Sequence, residues 1–310
     1  MQQNILIRCD ASKEIGLGHL SRCLVLAKGF RQKNHKVFFA IRENSLAIQI
    51  IKDKGFEFFL PSSTDYDQWL QKEVDINNIS IFIGDVRDNL PPRTIQNFQK
   101  KGILCIAVDE PSEYAKECDI CFYPPHTKIE SHEYKGKVYQ GFEYVILRDQ
   151  FYKTHKKHYH NKPNLLVMMG GTDTYNLSFT IIQQLLLKKI DTNISLIINK
   201  NHQDFLQLSN IAPSVKLHSN IQDMATFLTQ IDFAIITFGV SAYELVAMGI
   251  PAYHICLDDD HYNASDFFEK NGYAKRIKKT DIKTLESLPL LSFEKKAIPN
   301  LIIQTILSEI

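Results

Sequence analysis

Short runs of contiguous apolar residues recur along this chain, and each is followed by a polar turn and a longer stretch of helical period. In the first half the runs are 4–9 (NILIRC), 36–41 (KVFFAI), 80–85 (SIFIGD), 103–108 (ILCIAV) and 119–123 (DICFY), with helical stretches at 19–31, 45–54 and 93–101. The second half starts the alternation again. Runs at 164–169, 194–198, 233–237 and 252–256 alternate with helical stretches at 177–188, 223–229, 242–248 and 264–270. Apolar residues that cluster rather than alternate predict strands buried on both faces, as in a parallel sheet. Strand–helix–strand repetition predicts an α/β fold of two Rossmann-like, doubly wound domains.

A chain of 310 residues is long enough for two such domains. The stretch 151–163, FYKTHKKHYHNKP, is polar and reads as a linker, so the expected division is 1–150, linker 151–163, and 164–295. The segment 300–310 has apolar residues at helical spacing; a C-terminal helix within 296–310 is expected to pack back on the first domain. His155, His158 and His160 in the linker read as a solvated basic stretch in preference to a metal site.

A net charge of +1 exerts no general pull toward nucleic acid or anionic membranes, so neither partner is expected. MQQNILIRCD lacks the pattern of a signal peptide, and no apolar run is long enough to span a bilayer; the expected location is cytoplasmic. The six cysteines sit mostly in apolar segments and read as buried free thiols. Cys118 and Cys121 form a C-x-x-C without a second pair at zinc spacing.

In open parallel sheets, ligands bind beyond the carboxyl ends of the strands, and two such domains imply a cleft. After the first strand comes Gly16-Leu-Gly18-His19. Its glycines allow a tight turn, and the next helix starts at about His19 with its N–H groups facing any anion. Histidine titrates near neutrality and suits general acid–base work, so His19 is a candidate catalytic residue; the plainer account is a glycine turn with a histidine at a helix start. In the second half, Gly170-Gly171-Thr172 follows a strand and suits phosphate contact. Gly239-Val240-Ser241 follows another, and Ser241-x-x-Glu244 fits a capping box. The competing reading gives Ser241 to a diphosphate and Glu244 to ribose hydroxyls. Asp258-Asp-Asp260-His261 reads as a loop entering a helix, with a divalent metal as the alternative.

Arg8-x-Asp10-x-Ser12-x-x-Ile15-Gly-x-Gly-His19-x-x-Arg22 resembles the signature of the bacterial UDP-2,4-diacetamido-2,4,6-trideoxy-β-L-altropyranose hydrolases of pseudaminic acid biosynthesis. Gly141-x-x-Tyr144-x-x-Leu147-Arg148-x-x-Phe151, Met169-Gly-Gly-Thr-Asp173 and Ser241-x-x-Glu244 match that family in order and spacing, and the later motifs are shared with GT-B glycosyltransferases. The resemblance implies a GT-B fold and a metal-independent hydrolysis that needs no cofactor, in which water attacks the anomeric carbon of a UDP-sugar. It implies that His19 is catalytic and that Asp10, Gly18, Arg22, Arg148, Asp260 and His261 face the sugar. Gly170, Gly171, Thr172, Gly239, Val240, Ser241 and Glu244 would hold UDP. Three positions depart from the family pattern: Arg87 replaces a tyrosine, Tyr243 an asparagine, and Asp260-His261 an Asn-Gln pair. These departures leave open a glycosyltransferase of surface polysaccharide or a non-catalytic nucleotide-sugar binder.

Overall fold

A computed structural model describes residues 1–11, 17–86, 90–109, 111–153, 158, 161–170, 173, 175–211, 215–284 and 300–310. In chain order its elements are β1 (Asn4–Cys9), α1 (Gly18–Gln32), β2 (Lys36–Ala40), α2 (Ser45–Asp53), β3 (Glu57–Phe59), α3 (Tyr66–Ile76), β4 (Ile81–Asp85), α4 (Pro92–Lys100), β5 (Leu104–Val108), α5 (Glu113–Glu117), β6 (Ile120–Tyr123) and β7 (Lys137–Gln140). There follow β8 (Asn164–Met168), α6 (Leu177–Leu187), β9 (Asn193–Ile197), α7 (Phe205–Ile211), β10 (Val215–His218), α8 (Met224–Leu228), β11 (Phe233–Thr237), α9 (Val240–Met248), β12 (Ala252–Cys256), α10 (Asp259–Lys270), β13 (Ala274–Lys278) and α11 (Ile302–Ser308). The chain divides into two compact units, one of Met1–Ile146 with Pro299–Ile310 and one of Leu147–Ile298.

The first unit is a seven-stranded sheet in the order β3-β2-β1-β4-β5-β6-β7, with every pairing parallel. Successive residues of β1 serve opposite faces. Ile5 and Ile7 pack with α1 residues Leu26 and Phe30, whereas Leu6 packs with Trp69 of α3 and Phe98 of α4. Burial of both faces is why the run carries no polar alternation. The second unit is a six-stranded parallel sheet in the order β10-β9-β8-β11-β12-β13. Leu165 and Val167 pack against Ile181 and Leu185 of α6. Leu166 is buried on the opposite face.

Both sheets reverse their winding direction beside their first strand. The switch lies between β1 and β4 in the first unit and between β8 and β11 in the second. Strands on either side of such a point send their following loops in opposite directions and leave an opening at their carboxyl ends. The register brings Cys9 of β1 alongside Asp85 of β4, so both chains leave the sheet at the same level.

The C-terminal helix α11 packs on α1 through Ile303, whose side chain lies where a Cβ on Gly29 would stand. Ile302 and Ile306 are fully buried, which contributes roughly 1.5–3 kcal/mol each. The Leu301 N–H donates to Glu143 O, and Lys137 Nζ lies 2.7 Å from Glu309. The expected linker is not a free-standing spacer at its start: Phe151 is buried, and its 3₁₀ turn Asp149–Tyr152 packs against α8 and α9 within the second unit. Helix α10 starts at Asp259, not at 264, because Asp258 caps it by accepting from the His261 N–H at 2.8 Å. Among the described residues, no helix is long and apolar enough to cross a membrane.

Candidate functional site

In the first unit, α1 starts at Gly18 with Leu17 at its N-cap and no side-chain cap, which leaves its first N–H groups for another acceptor. His19, its second residue, is turned inward and buried. Its Nδ1 lies 2.7 Å from Oδ1 of Asp85, the fully buried last residue of β4. Arg22 is one turn further along α1 and on the same face. It donates to both oxygens of Asp85, from Nε to Oδ2 and from Nη2 to Oδ1, each at 2.6 Å. Its Nη1 forms an ion pair with Asp109, which follows β5 in a left-handed conformation (φ 66°). Full burial works to raise the Asp85 pKa, but the Arg22 charge and hydrogen bonds, with His19, hold it down at about 2. The strand order places Asp85 directly beside the end of β1, and no local sequence pattern marks it as the partner of His19.

Asp10 serves a different pair of cations. It accepts from Arg8 Nη1 and Nη2 at 2.7 and 2.8 Å and from Arg42 N and Nε at 3.0 and 2.7 Å, tying the end of β1 to the residue beyond β2. Against the opposing effect of burial, these arginines lower its pKa. Its carboxylate is engaged at the carboxyl ends of β1 and β2, as a brace. Ser12, Ile15 and Gly16 of the same motif lie outside the described residues, as does Arg87.

In the second unit, Gly170 follows β8 with φ 81°, a conformation that glycine adopts without steric cost. Gly171 and Thr172 lie outside the described residues. Asp173 turns back to accept the Leu177 and Ser178 N–H groups at 2.9 Å each, so a carboxylate already caps α6. Helix α9 differs: Gly239 is its N-cap, no side chain caps it, and a Cβ at Gly239 would meet nothing within 4 Å. The capping-box reading is therefore corrected. The helix begins at Val240, which puts Ser241 inside the first turn rather than at the cap, and the Glu244 carboxylate is occupied elsewhere. Arg148 donates to Glu244 Oε1 from Nε at 3.2 Å and from Nη2 at 2.8 Å, and its guanidinium lies 5.3 Å from the Phe151 ring centre. Burial raises the Glu244 pKa, and Arg148 offsets part of that rise.

Asp260 lies in the exposed first turn of α10, where a carboxylate favours the helix dipole. His261 sits beside it, its ring 5.9 Å from that of Phe238, and its Nδ1 has no hydrogen-bond partner among the described residues. The acidic run is thus a helix start, with Asp258 committed to capping. Tyr243, which stands where the family pattern has an asparagine, is buried and packs edge-on against Phe268 of α10, ring centres 4.9 Å apart. Cys118 and Cys121 are buried and free; burial raises the first thiol well above its usual pKa and the second to about 12, so neither is a reactive thiolate. His158 is exposed and its N–H donates to Thr229 O, while His155 and His160 lie outside the described residues.

Two parallel sheets of Rossmann order, each with residues gathered at its switch point, define the fold of the GT-B glycosyltransferases. MurG of Acinetobacter baumannii superimposes with a TM-score of 0.70 over 99% of each chain at 15% identity. The spinosyn rhamnosyltransferase SpnG complexed with thymidine diphosphate gives a TM-score of 0.60 over 99% of this chain and 92% of its own, at 10% identity. In sequence, the chain is 25% identical to the UDP-2,4-diacetamido-2,4,6-trideoxy-β-L-altropyranose hydrolase of Campylobacter jejuni, over 88% of this chain and 99% of that one. It is 27% identical to an uncharacterized protein of Methanocaldococcus jannaschii over 91% of its own length, and spans 60% of that longer protein. The spore coat polysaccharide biosynthesis protein SpsG of Bacillus subtilis is 22% identical over 79% of this chain and 75% of its own. No family model matches the chain.

Proposed function

We propose that the protein is a UDP-sugar hydrolase that releases UDP from a UDP-diacetamido-trideoxy-hexose for nonulosonic acid biosynthesis. The observation that carries this reading is the His19–Asp85 pair at the switch point of the first unit. An imidazole held on one side by a buried carboxylate is built to take a proton on the other. Water then attacks the anomeric carbon, its proton passes to His19, and the carbon–oxygen bond to the β-phosphate breaks with both electrons leaving on UDP.

The second unit holds the nucleotide in this reading. The uncapped N-terminus of α9, at Gly239, Val240 and Ser241, takes the diphosphate, and Glu244 accepts the ribose hydroxyls. Gly170, Gly171 and Thr172, which follow β8 in sequence, are assigned to the same nucleotide. Gly18 in the first unit and Arg148, Asp260 and His261 in the second are assigned to the sugar side, and Arg22 acts through His19 and Asp85. Asp10 acts through Arg8 and Arg42. The reaction calls for no cofactor and no metal. The hydrolase relative supports the substrate class by its name and its coverage.

Incubation with the UDP-sugar in water enriched in oxygen-18, followed by NMR and mass spectrometry, tests the reading. Release of unlabelled UDP with one labelled oxygen on the sugar is the expected result. Turnover only on addition of a hydroxyl acceptor would instead make the protein a glycosyltransferase, the reading that Asp260-His261 favours because it departs from the hydrolase pattern. Intact substrate bound without turnover would leave a nucleotide-sugar binder.

A further inference from the structure

One guanidinium in the first unit joins two carboxylates and touches a histidine. Arg22 holds Asp85 through two bonds and Asp109 through a third nitrogen, and its Nη2 lies 2.8 Å from His19 Nδ1. His19 Nδ1 is thus close to both an anion and a cation, and it can have only one role. An arginine only donates and an ionised carboxylate only accepts. A lone pair on Nδ1 could accept from Arg22 Nη2 at 2.8 Å, but it would face the closer Asp85 oxygen at 2.7 Å and repel it, and that Arg22 nitrogen already donates to the same oxygen at 2.6 Å. A proton on Nδ1 instead makes a charge-assisted bond to Asp85, and the lone pair then resides on Nε2.

We propose that Asp85 is a positioning residue that fixes His19 with its lone pair on Nε2, and that Arg22, clamped by Asp109, keeps Asp85 an anion while His19 takes up a proton. The part concerning proton uptake from water rests on the hydrolase reading; the tautomer does not.

The charge balance supports the second half of this assignment. Among the described residues, Arg22 of α1 bridges two carboxylates, Asp85 at the end of β4, which also meets the imidazole, and Asp109 just beyond β5. These four side chains, His19, Asp85, Asp109 and Arg22, together carry one surplus negative charge when His19 is neutral and none when it is protonated. Cys23 of α1 also faces Asp85, with its Sγ 3.4 Å from Oδ2, and burial beside Cys9 and Asp85 keeps that thiol protonated. His126, beyond β6, is influenced by Asp109, but burial disfavours its charged form. Neither residue alters the count. Asp85 held at about 2 does not compete for the proton, which therefore stops on His19.

The test is long-range proton–nitrogen NMR on protein labelled with nitrogen-15 at histidine, with the His19 signal assigned by its loss in His19→Gln. The expected spectrum of the unliganded wild type shows the proton of His19 on Nδ1, and Asp85→Asn weakens or inverts that preference. With UDP-sugar, Asp85→Asn is expected to lower kcat roughly 10²–10⁴-fold and to change KM by less than about threefold, as wrong-tautomer variants of an Asp–His pair do. Asp85→Glu is expected to restore part of kcat. A wild-type His19 protonated on Nε2 overturns the proposal, as does an Asp85→Asn protein that keeps both the Nδ1 proton and wild-type kcat. The wild-type spectrum decides the tautomer even if Asp85→Asn does not fold. Failure of the wild type to release UDP would overturn the hydrolase reading and leave the tautomer result standing, since that spectrum needs no substrate.

Discussion

Arg148 places two nitrogens on a single oxygen of Glu244, so one edge of a buried carboxylate is committed while Oε2 is left out of that bond. The two residues are 96 positions apart in sequence and meet because the turn at Asp149–Tyr152 packs against α9. If ribose hydroxyls donate to this carboxylate, Glu244→Gln should weaken UDP binding about 10- to 100-fold, the range expected on losing hydrogen bonds to a charged acceptor. Isothermal titration calorimetry reads this directly.

Burial raises the Glu244 pKa and Arg148 opposes the rise, so Arg148→Ala and the wild type differ in their pH response. In Arg148→Ala the carboxyl gains a proton more readily. UDP affinity in that variant is expected to start falling at a higher pH than in the wild type. Identical pH profiles would separate Glu244 from the binding event.

Asp85 has a folded-state pKa of about 2, below its ordinary 3.8. Its contribution to stability is complete above about 3.8 and is lost as pH falls from there through 2. A shift of this size corresponds to roughly 2 kcal/mol. The wild type should lose that amount relative to Asp85→Asn between about pH 5 and pH 2, measured by urea denaturation of both proteins.

His254 is buried on β12, near the rings of Phe238 and Phe268 and 3.1 Å from Ser265 Oγ, and burial lowers its pKa from 6.5 to about 3. A histidine kept neutral on folding stabilises fully above its unfolded value. That stability is lost as pH falls from about 6.5 toward 3. Between pH 6.5 and 5 the loss should be on the order of 2 kcal/mol. His254→Phe should remove that slope, which denaturation midpoints at the two pH values would show.

The central strands of both sheets were legible because burial on two faces writes them as unbroken apolar runs. The strands that were missed, EFF of β3, KVYQ of β7, VKLH of β10 and AKRIK of β13, are the four sheet edges. An edge strand is short and half-solvated, so its composition mixes charge with apolar residues and carries little period. Helix α3 was missed too, although Asp65 caps it through the Asp67 and Gln68 N–H groups. Within the proposed site, the glycine turn alone marks His19 as a candidate. Asp85 carries no such signal, since nothing local marks a carboxylate 66 residues away as the partner of His19. The signal that could have found it is topological: in a doubly wound sheet the fourth strand lies beside the first, and this one ends in an aspartate. Ser241-x-x-Glu244 misled in the opposite way. The spacing fits a cap, but Gly239 opens the helix and Arg148 draws the glutamate away.

The most direct test of the account is UDP release measured side by side for wild type and His19→Ala, with UDP affinity determined for both. The account predicts release by the wild type, a loss of roughly 10²–10⁴-fold or more in the variant, and UDP binding unchanged within about threefold. Equal rates in the two proteins, or intact UDP-sugar after incubation with the wild type, would contradict it.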